Sequence, residues 1–297
     1  MKKDLAIVAL PGADAAAGRL AALLGARTCP LDTHRFPDGE RYLRLEADVL
    51  GAHAVIVGHL LPPDEQAMAL WFLADALRDL GARRVGLVLP YLPYLRQDAR
   101  FNPGEAVTSA AFARLLSIAA DWLVTVDPHL HRHRSLAEIY TIASTVVSSA
   151  PVIAQWVREQ VPRPVIVGPD EESEQWVADV AAQVGCPHRV MRKQRTGDRQ
   201  VRVHAPSFAG LRDRTPVLLD DIVSSGHTMA EAVRCLTEAG LAPPSCIAVH
   251  GVFANGALKA LRTAGAGRIV TCNTLPGEGE QIDVLPAVAH AVAERVG

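Results

Sequence analysis

The chain has 297 residues, 49% hydrophobic and 21% charged, with 30 basic residues against 32 acidic ones. Those proportions suit a folded globular protein and exclude a disordered or collagen-like chain. A formal net charge of −2 excludes a bulk field for nucleic acid or anionic lipid, so any anion is bound locally. At roughly 150 residues per domain the length predicts two domains.

In chain order, the first strand is predicted at Leu5 to Leu10, an apolar run that breaks at Pro11-Gly12 and is too short for a secretory core. The alanine-rich stretch Ala13 to Ala22 is helix filler. Thr28 to Leu45, of mixed polarity, predicts shorter or edge strands around a turn at Pro37-Asp38-Gly39. Buried strands follow at Ala54 to Leu60, Val85 to Leu89 and Trp122 to Val126, with helices near Glu65 to Leu80 and Val107 to Ala119. The second half repeats the pattern. Strands near Val165 to Val167, Arg189 to Met191, Val217 to Leu219, Cys246 to Val249 and Ile269 to Cys272 alternate with helices near Glu174 to Val184, Thr228 to Ala239 and Ala257 to Thr263.

Such alternation is the mark of an α/β fold. We expect two similar doubly wound domains, each a mainly parallel sheet flanked by helices. The boundary falls near Thr145 to Pro151, giving 1–147 and 148–284, with a C-terminal helix at 285–297 available to complete the first. No apolar run approaches the roughly 20 residues that span a bilayer; the longer ones are interrupted by His59 and Pro90. The cysteines, Cys29, Cys186, Cys235, Cys246 and Cys272, are scattered without a C-x-x-C pair. They read as small core residues in a reducing, cytoplasmic setting.

The most informative segment is Pro216 to Met229, PVLLDDIVSSGHTM. An apolar strand ends in Asp220 and Asp221, and a small-residue loop of Ser224, Ser225, Gly226, His227 and Thr228 leads into a helix. Backbone N–H groups, hydroxyls and a helix N-terminus together offer a cradle to a phosphate. The two carboxylates can accept hydrogen bonds from a diol, so the pair and the loop suit a sugar phosphate. The alternative is a helix N-capped by Ser224 or Ser225, with the aspartates solvated at a strand end.

Acid-acid, two apolar residues and a Ser/Thr-Gly-x-Thr loop resembles the phosphoribosyl diphosphate (PRPP) signature of the type I phosphoribosyltransferase fold. The family often has a third acid where Ser224 stands, and glycine where His227 stands, a position wanting positive φ. Further segments narrow the resemblance to the ribose-phosphate pyrophosphokinase family, which makes PRPP from ATP and ribose 5-phosphate. RFPDGERYLR is similar to that family's adenine loop, which implies ATP contacts from Phe36, Asp38 and Glu40. PYLPYLRQDARFNPGEAVTS resembles its nucleotide-contacting run, which implies Arg96, Gln97 and Arg100.

In VTVDPHLHRH the resemblance implies that Asp127 and His129 sit by the Mg²⁺ of ATP, while His131 and His133 stay unassigned. VGPDEES resembles the strand-end acid facing the ribose and its metal, which makes Asp170 a ribose and Mg²⁺ residue; Glu171 and Glu172 replace small residues. RKQR matches a Lys-x-Arg on a mobile catalytic loop, so Lys193 and Arg195 would neutralise charge on the transferring group. AVHGVF matches a strand end at which His250 receives no chemical role. No side chain is an obvious general base.

The resemblance implies ATP and ribose 5-phosphate as substrates, Mg²⁺ as cofactor, and a homo-oligomer, a dimer at minimum with a hexamer as the larger form, with no nucleic-acid or membrane partner. Three rivals stand beside it: a PRPP-consuming phosphoribosyltransferase, a catalytically weak or regulatory relative, and a ribose 5-phosphate binding protein that does not use ATP. No G-x-x-x-x-G-K-[ST] loop and no strand-linked G-x-G-x-x-G occur.

Overall fold

The computed structural model describes residues 4–195, 201–204, 206–277 and 279–297, and for 193–195 and 201–204 the backbone alone. The chain divides into two compact units, residues 1–147 with 285–297, and residues 148–284.

The first unit begins with β1 (Leu5–Ala9), α1 (Asp14–Leu24), β2 (Arg27–Cys29), β3 (Leu31–Arg35) and β4 (Arg41–Leu45). It continues with β5 (His53–Val57), α2 (Pro63–Asp79), β6 (Arg84–Val88), α3 (Thr108–Ala119), β7 (Trp122–Val126) and β8 (Ala143–Val147). Six strands form one sheet in the order β2-β1-β5-β6-β7-β8, parallel at every pairing. The central strands are near-continuous apolar runs because helices cover both faces. Leu70, Leu73 and Leu77 fall on one side of α2 by helical spacing and pack with Ile56 and Leu87 in the same core. Trp122 is only 1% exposed. Trp122→Ala is expected to lower unfolding stability by about 3–5 kcal/mol, the usual range for emptying an aromatic site, measured by urea denaturation. A loss under about 1 kcal/mol would contradict the packing.

The stretch of mixed polarity forms β3 and β4, an antiparallel pair outside the main sheet that turns at Pro37-Asp38-Gly39. Leu31, Leu43 and Leu45 are partly buried against the core while polar residues between them are more exposed, which suits a ribbon at the surface.

The second unit begins with α4 (Ala150–Gln160), β9 (Pro164–Gly168), α5 (Glu174–Val184), β10 (His188–Val190), β11 (Arg192–Arg195) and β12 (Val201–His204). It continues with β13 (Thr215–Val223), α6 (His227–Glu238), β14 (Ser245–Gly251), α7 (Ala257–Ala264), β15 (Arg268–Cys272) and β16 (Glu280–Ile282). The sheet order is β10-β9-β13-β14-β15-β16, again parallel throughout. Leu218, Cys246, Val233 and Leu261 belong to its core. The chain ends in α8 (Leu285–Val296), which returns to the first unit and lies against α1 and β7. There Arg295 Nε donates to Thr145 Oγ1 at 2.8 Å and Nη2 donates to the Ser144 carbonyl at 3.2 Å, fastening edge strand β8.

None of the five cysteines is in a disulfide, and Cys29, Cys246 and Cys272 are buried. Burial pushes the Cys246 thiol up to about 12 and raises Cys29, Cys186 and Cys235 as well. Thiols held protonated are poor nucleophiles. Among the described residues, no helix is long and apolar enough to cross a membrane.

Candidate active site

In the second unit the site residues gather at the carboxyl edge of the sheet, where open α/β folds bind ligands. The predicted strand Val217 to Leu219 extends to Val223, so Asp220 and Asp221 lie within β13 and not at its end. The reason is lateral. Pairing with β9 stops at Leu218↔Val167, while pairing with β14 goes on to Ile222↔His250 and Val223↔Gly251. The aspartates therefore sit where one neighbour has left and the other still holds the backbone. Continuing the β9 register places Asp170 level with Asp221. The Asp220 carboxylate accepts the Asp221 N–H at 3.1 Å, and that of Asp221 accepts the Ile222 N–H at 2.7 Å.

Asp170 is buried, 9% exposed, and ends β9 by capping the short turn Glu171–Ser173, accepting the Glu172 N–H at 3.2 Å. The Ser173 hydroxyl donates to the Asp170 carbonyl at 2.6 Å and fixes the backbone there. Glu171 faces Arg192 at 3.5 Å, on an exposed cleft of about 530 Å³ that His188, Arg189 and Pro206 also line.

After β13 the chain turns through Ser224 and Ser225 into α6. The expectation that His227 takes the positive φ is corrected: Gly226 has φ 74° and is the N-cap, and His227 is the first helical residue. Only glycine adopts this conformation without a Cβ penalty, so His227 carries no such strain. The serine-cap alternative is corrected too, because no side chain caps α6. Its first turn also lacks an acidic residue, whereas α2 has Asp64 and Glu65 there. An uncapped, acid-free helix start offers its N–H groups and dipole to an anion. His227 Nδ1 lies 3.1 Å from Ser225 Oγ. His227→Gly is expected to lower stability, by up to about 1 kcal/mol for glycine in a helix, in thermal unfolding. A rise in Tm would contradict the assignment of φ.

In the first unit, Phe36, Asp38 and Glu40 lie on the β3–β4 turn. The Phe36 N–H donates to the Glu40 carbonyl at 2.8 Å, and the Glu40 N–H to Asp38 Oδ1 at 3.2 Å. Phe36 is 44% exposed and meets His34 edge-on at 5.2 Å. At the base of the turn Arg35 pairs with Glu65 of α2 at 2.6 Å. One residue earlier Asp64 accepts the hydroxyl of Tyr94. Both expected nucleotide segments therefore converge on the start of α2.

Arg96 is exposed. Gln97 faces inward at α3, where its side-chain carbonyl accepts the Thr108 hydroxyl at 3.3 Å. Arg100 Nε donates to the Glu105 carbonyl at 3.0 Å. The Glu105 carboxylate accepts from the Asn102 side chain at 2.6 Å, and from the Asn102 and Phe101 N–H groups at 3.1 and 2.8 Å. These bonds, the Asn102 side chain foremost, hold its carboxyl below the usual range. A depressed carboxyl supports the folded form above the ordinary value of about 4.3 and loses that support as pH falls through its own lower value. The Phe101 and Asn102 amide signals are expected to titrate with a midpoint below the ordinary carboxyl value; a midpoint at or above it would contradict the bonds.

Asp127 follows β7 with φ 32° and donates its N–H to the Val147 carbonyl at 3.1 Å. Non-glycine residues at positive φ are costly and cluster at functional sites. His129 and His131 meet edge-on with ring centroids 3.8 Å apart, while His133 lies 3.1 Å from Glu138. Sequence reasoning left out Arg132. It pairs with Asp98 at 2.7 Å and lies 5.0 Å over the Phe101 ring, tying the loop of Asp127 and His129 to that of Arg96 and Arg100. Lys193 and Arg195 lie on β11, and their side chains fall outside the described residues.

Comparison with known proteins completes the picture. Residues 5–119 match the N-terminal domain of ribose phosphate pyrophosphokinase, and residues 137–286 the phosphoribosyl transferase domain. The chain is 34% identical over 281 residues to the ribose-phosphate pyrophosphokinase of Methanopyrus kandleri, covering 94% of this chain and 95% of that one. It is 31% identical over 278 residues to that of Methanobrevibacter smithii, covering 90% and 92%. Among solved structures, the phosphoribosylpyrophosphate synthetase of Mycobacterium smegmatis is similar with a TM-score of 0.86 at 25% identity, over 99% of both chains.

Proposed function

The chain belongs to the ribose-phosphate pyrophosphokinase family, and from that membership we propose that its second unit holds ribose 5-phosphate and its first holds ATP. The activity is transfer of the diphosphoryl group of ATP to the anomeric hydroxyl of ribose 5-phosphate, giving AMP and PRPP. The observation that carries the assignment of the sugar is the start of α6, uncapped and free of acids, directly after Asp220 and Asp221.

In this reading Ser224, Ser225, Gly226, His227 and Thr228 receive the 5-phosphate through backbone N–H groups and hydroxyls, and Asp220 and Asp221 accept the ribose diol. Asp170 faces the same sugar. Phe36, Asp38 and Glu40 take the adenine, by stacking on the ring and accepting its exocyclic amine. Arg96 and Arg100 pair with phosphate oxygens, and Gln97 borders the nucleotide. Lys193 and Arg195 neutralise charge on the transferring group.

The donor set fits Mg²⁺, which prefers carboxylate oxygen and retains waters. Asp170, with Asp220 and Asp221 at one sheet edge, would supply carboxylate oxygens in the second unit; in the first, Asp127 would supply a carboxylate oxygen and His129 a ring nitrogen. When bound, Mg²⁺ neutralises charge on the polyphosphate oxygens. The anomeric oxygen bonds to the β-phosphorus as the bond from that phosphorus to the α,β-bridging oxygen breaks, and the oxygen leaves with AMP. The hydroxyl proton passes to solvent. Catalysis comes mainly from positioning and charge neutralisation.

An assay of PRPP formation tests the reading. With ATP and ribose 5-phosphate, AMP and PRPP are expected in equal amounts. PRPP consumption with a nucleobase and no AMP release would mean a phosphoribosyltransferase, and ATP binding without turnover a regulatory relative. We place the enzyme in the cytoplasm and assign it a homodimer at minimum, with a hexamer as the larger form; the exposure of Phe36 on the β3–β4 turn, 44%, supports a turn that reaches a neighbouring copy. Light scattering showing an active monomer would contradict that assembly.

A further inference from the structure

The turn from β14 to α7 runs beside the loop that precedes α6. Its Phe253 N–H donates to the Val223 carbonyl at 3.0 Å, and its Ala254 N–H to the Ser224 carbonyl at 2.9 Å. A trans peptide directs its C=O and the next N–H to opposite sides. Drawing these two carbonyls toward the turn therefore aims the N–H groups of Ser224 and Ser225 away from it. Further along, a Cβ on Gly226 would lie 3.5 Å from the Ala257 carbonyl, so the same connection also backs the N-cap of α6.

Phe253 holds φ 35°, a region that non-glycine residues occupy only when their surroundings impose it. A Cβ on Gly251 would meet the Phe253 ring at 2.6 Å and Thr271 Cγ2 at 2.6 Å, so the ring lies over a bare α-carbon. The ring packs against the core of the second unit. On β14, His250 is 1% exposed with Nδ1 2.9 Å from Thr274 Oγ1, and the Thr274 hydroxyl donates to the Val249 carbonyl at 2.7 Å. With that hydroxyl proton committed, the imidazole donates from Nδ1. The end of β14, just before the strained residue, is thus anchored.

We propose that Phe253 is a positioning residue for the loop Ser224 to Thr228, and that Gly251 is glycine because the Phe253 ring needs its space. The inference rests on that loop being the sugar-phosphate site. Phe253 touches no substrate; it sets where the loop N–H groups point. A displacement of about 1 Å in such a group can cost on the order of a hundredfold.

The test is calorimetric titration of ribose 5-phosphate, with steady-state kinetics, on the full chain and on Gly251→Ala, Phe253→Ala and Phe253→Leu. The expected result is ribose 5-phosphate affinity weakened about tenfold or more in Gly251→Ala and Phe253→Ala, with the KM for ATP within about twofold. Phe253→Leu, which keeps apolar bulk, should retain more affinity than Phe253→Ala, and Gly251→Ala combined with Phe253→Leu should regain part of what Gly251→Ala loses. Unchanged ribose 5-phosphate affinity in folded Gly251→Ala and Phe253→Ala would overturn the proposal. So would an equal loss of kcat and of affinity for both substrates, which marks general disruption. Wild-type protein that fails to bind ribose 5-phosphate at all would overturn the site reading, and this inference with it.

Discussion

Asp220→Asn and Asp221→Asn are each expected to weaken ribose 5-phosphate binding by about 10- to 150-fold, the equivalent of one hydrogen bond to a charged group at about 1.5–3 kcal/mol. Each carboxylate already accepts one backbone N–H, from Asp221 at 3.1 Å and from Ile222 at 2.7 Å. Asparagine keeps a carbonyl for that bond, so the backbone of β13 stays in place and the loss falls on the charge that strengthens a hydrogen bond from the diol. The two changes act on one diol and will not add; the double variant should fall short of the summed single effects. The KM for ATP should move little. Calorimetry with ribose 5-phosphate and paired KM values check this, and unchanged binding in both single variants would remove the aspartates from the sugar site.

Lys193→Ala should lower kcat by about two to three orders of magnitude while ribose 5-phosphate affinity stays within about twofold. A fixed cation contributes most where charge grows between ground and transition state, here on the bridging oxygen that leaves with AMP. In the proposed site, ground-state sugar binding would draw on other groups, Asp220, Asp221 and the loop before α6. Arg195→Ala should show the same split. Single-turnover measurement of AMP release, beside a binding titration, separates the two quantities. Equal loss of kcat and affinity would make Lys193 structural.

Much of the fold was legible because central strands of a parallel sheet are unbroken apolar runs and their covering helices repeat at helical spacing. β1, β5, β6 and β7 announce themselves in this way. The elements that escaped sit at edges or begin irregularly. β8 reads Ala-Ser-Thr-Val-Val, with three of its five residues polar or small, and gains its place from β7 and from Arg295, 150 residues away in sequence. α4 carries Pro151 in its first turn, a position that tolerates proline but reads as a break. β16 spans three residues.

At the site, residue type was legible and backbone geometry was not. Paired aspartates before a small-residue loop signal sugar-phosphate chemistry, yet their place inside β13 depends on β14 continuing to pair after β9 has stopped. The positive φ belongs to Gly226, one residue before the expected position, because α6 begins at His227. Arg132 carries no signal of its own in the sequence, and only the fold brings it to Asp98 and Phe101. Phe253 gave no local signal, since its strain comes from Gly251, Thr271 and the loop after β13.

A crystal structure of the chain with ribose 5-phosphate tests the central claim most directly. The phosphate is expected on the backbone N–H groups of residues 224–228 and the ribose hydroxyls on Asp220 and Asp221. A phosphate bound elsewhere, or a loop closed by the His227 ring with no room for the sugar, would contradict it.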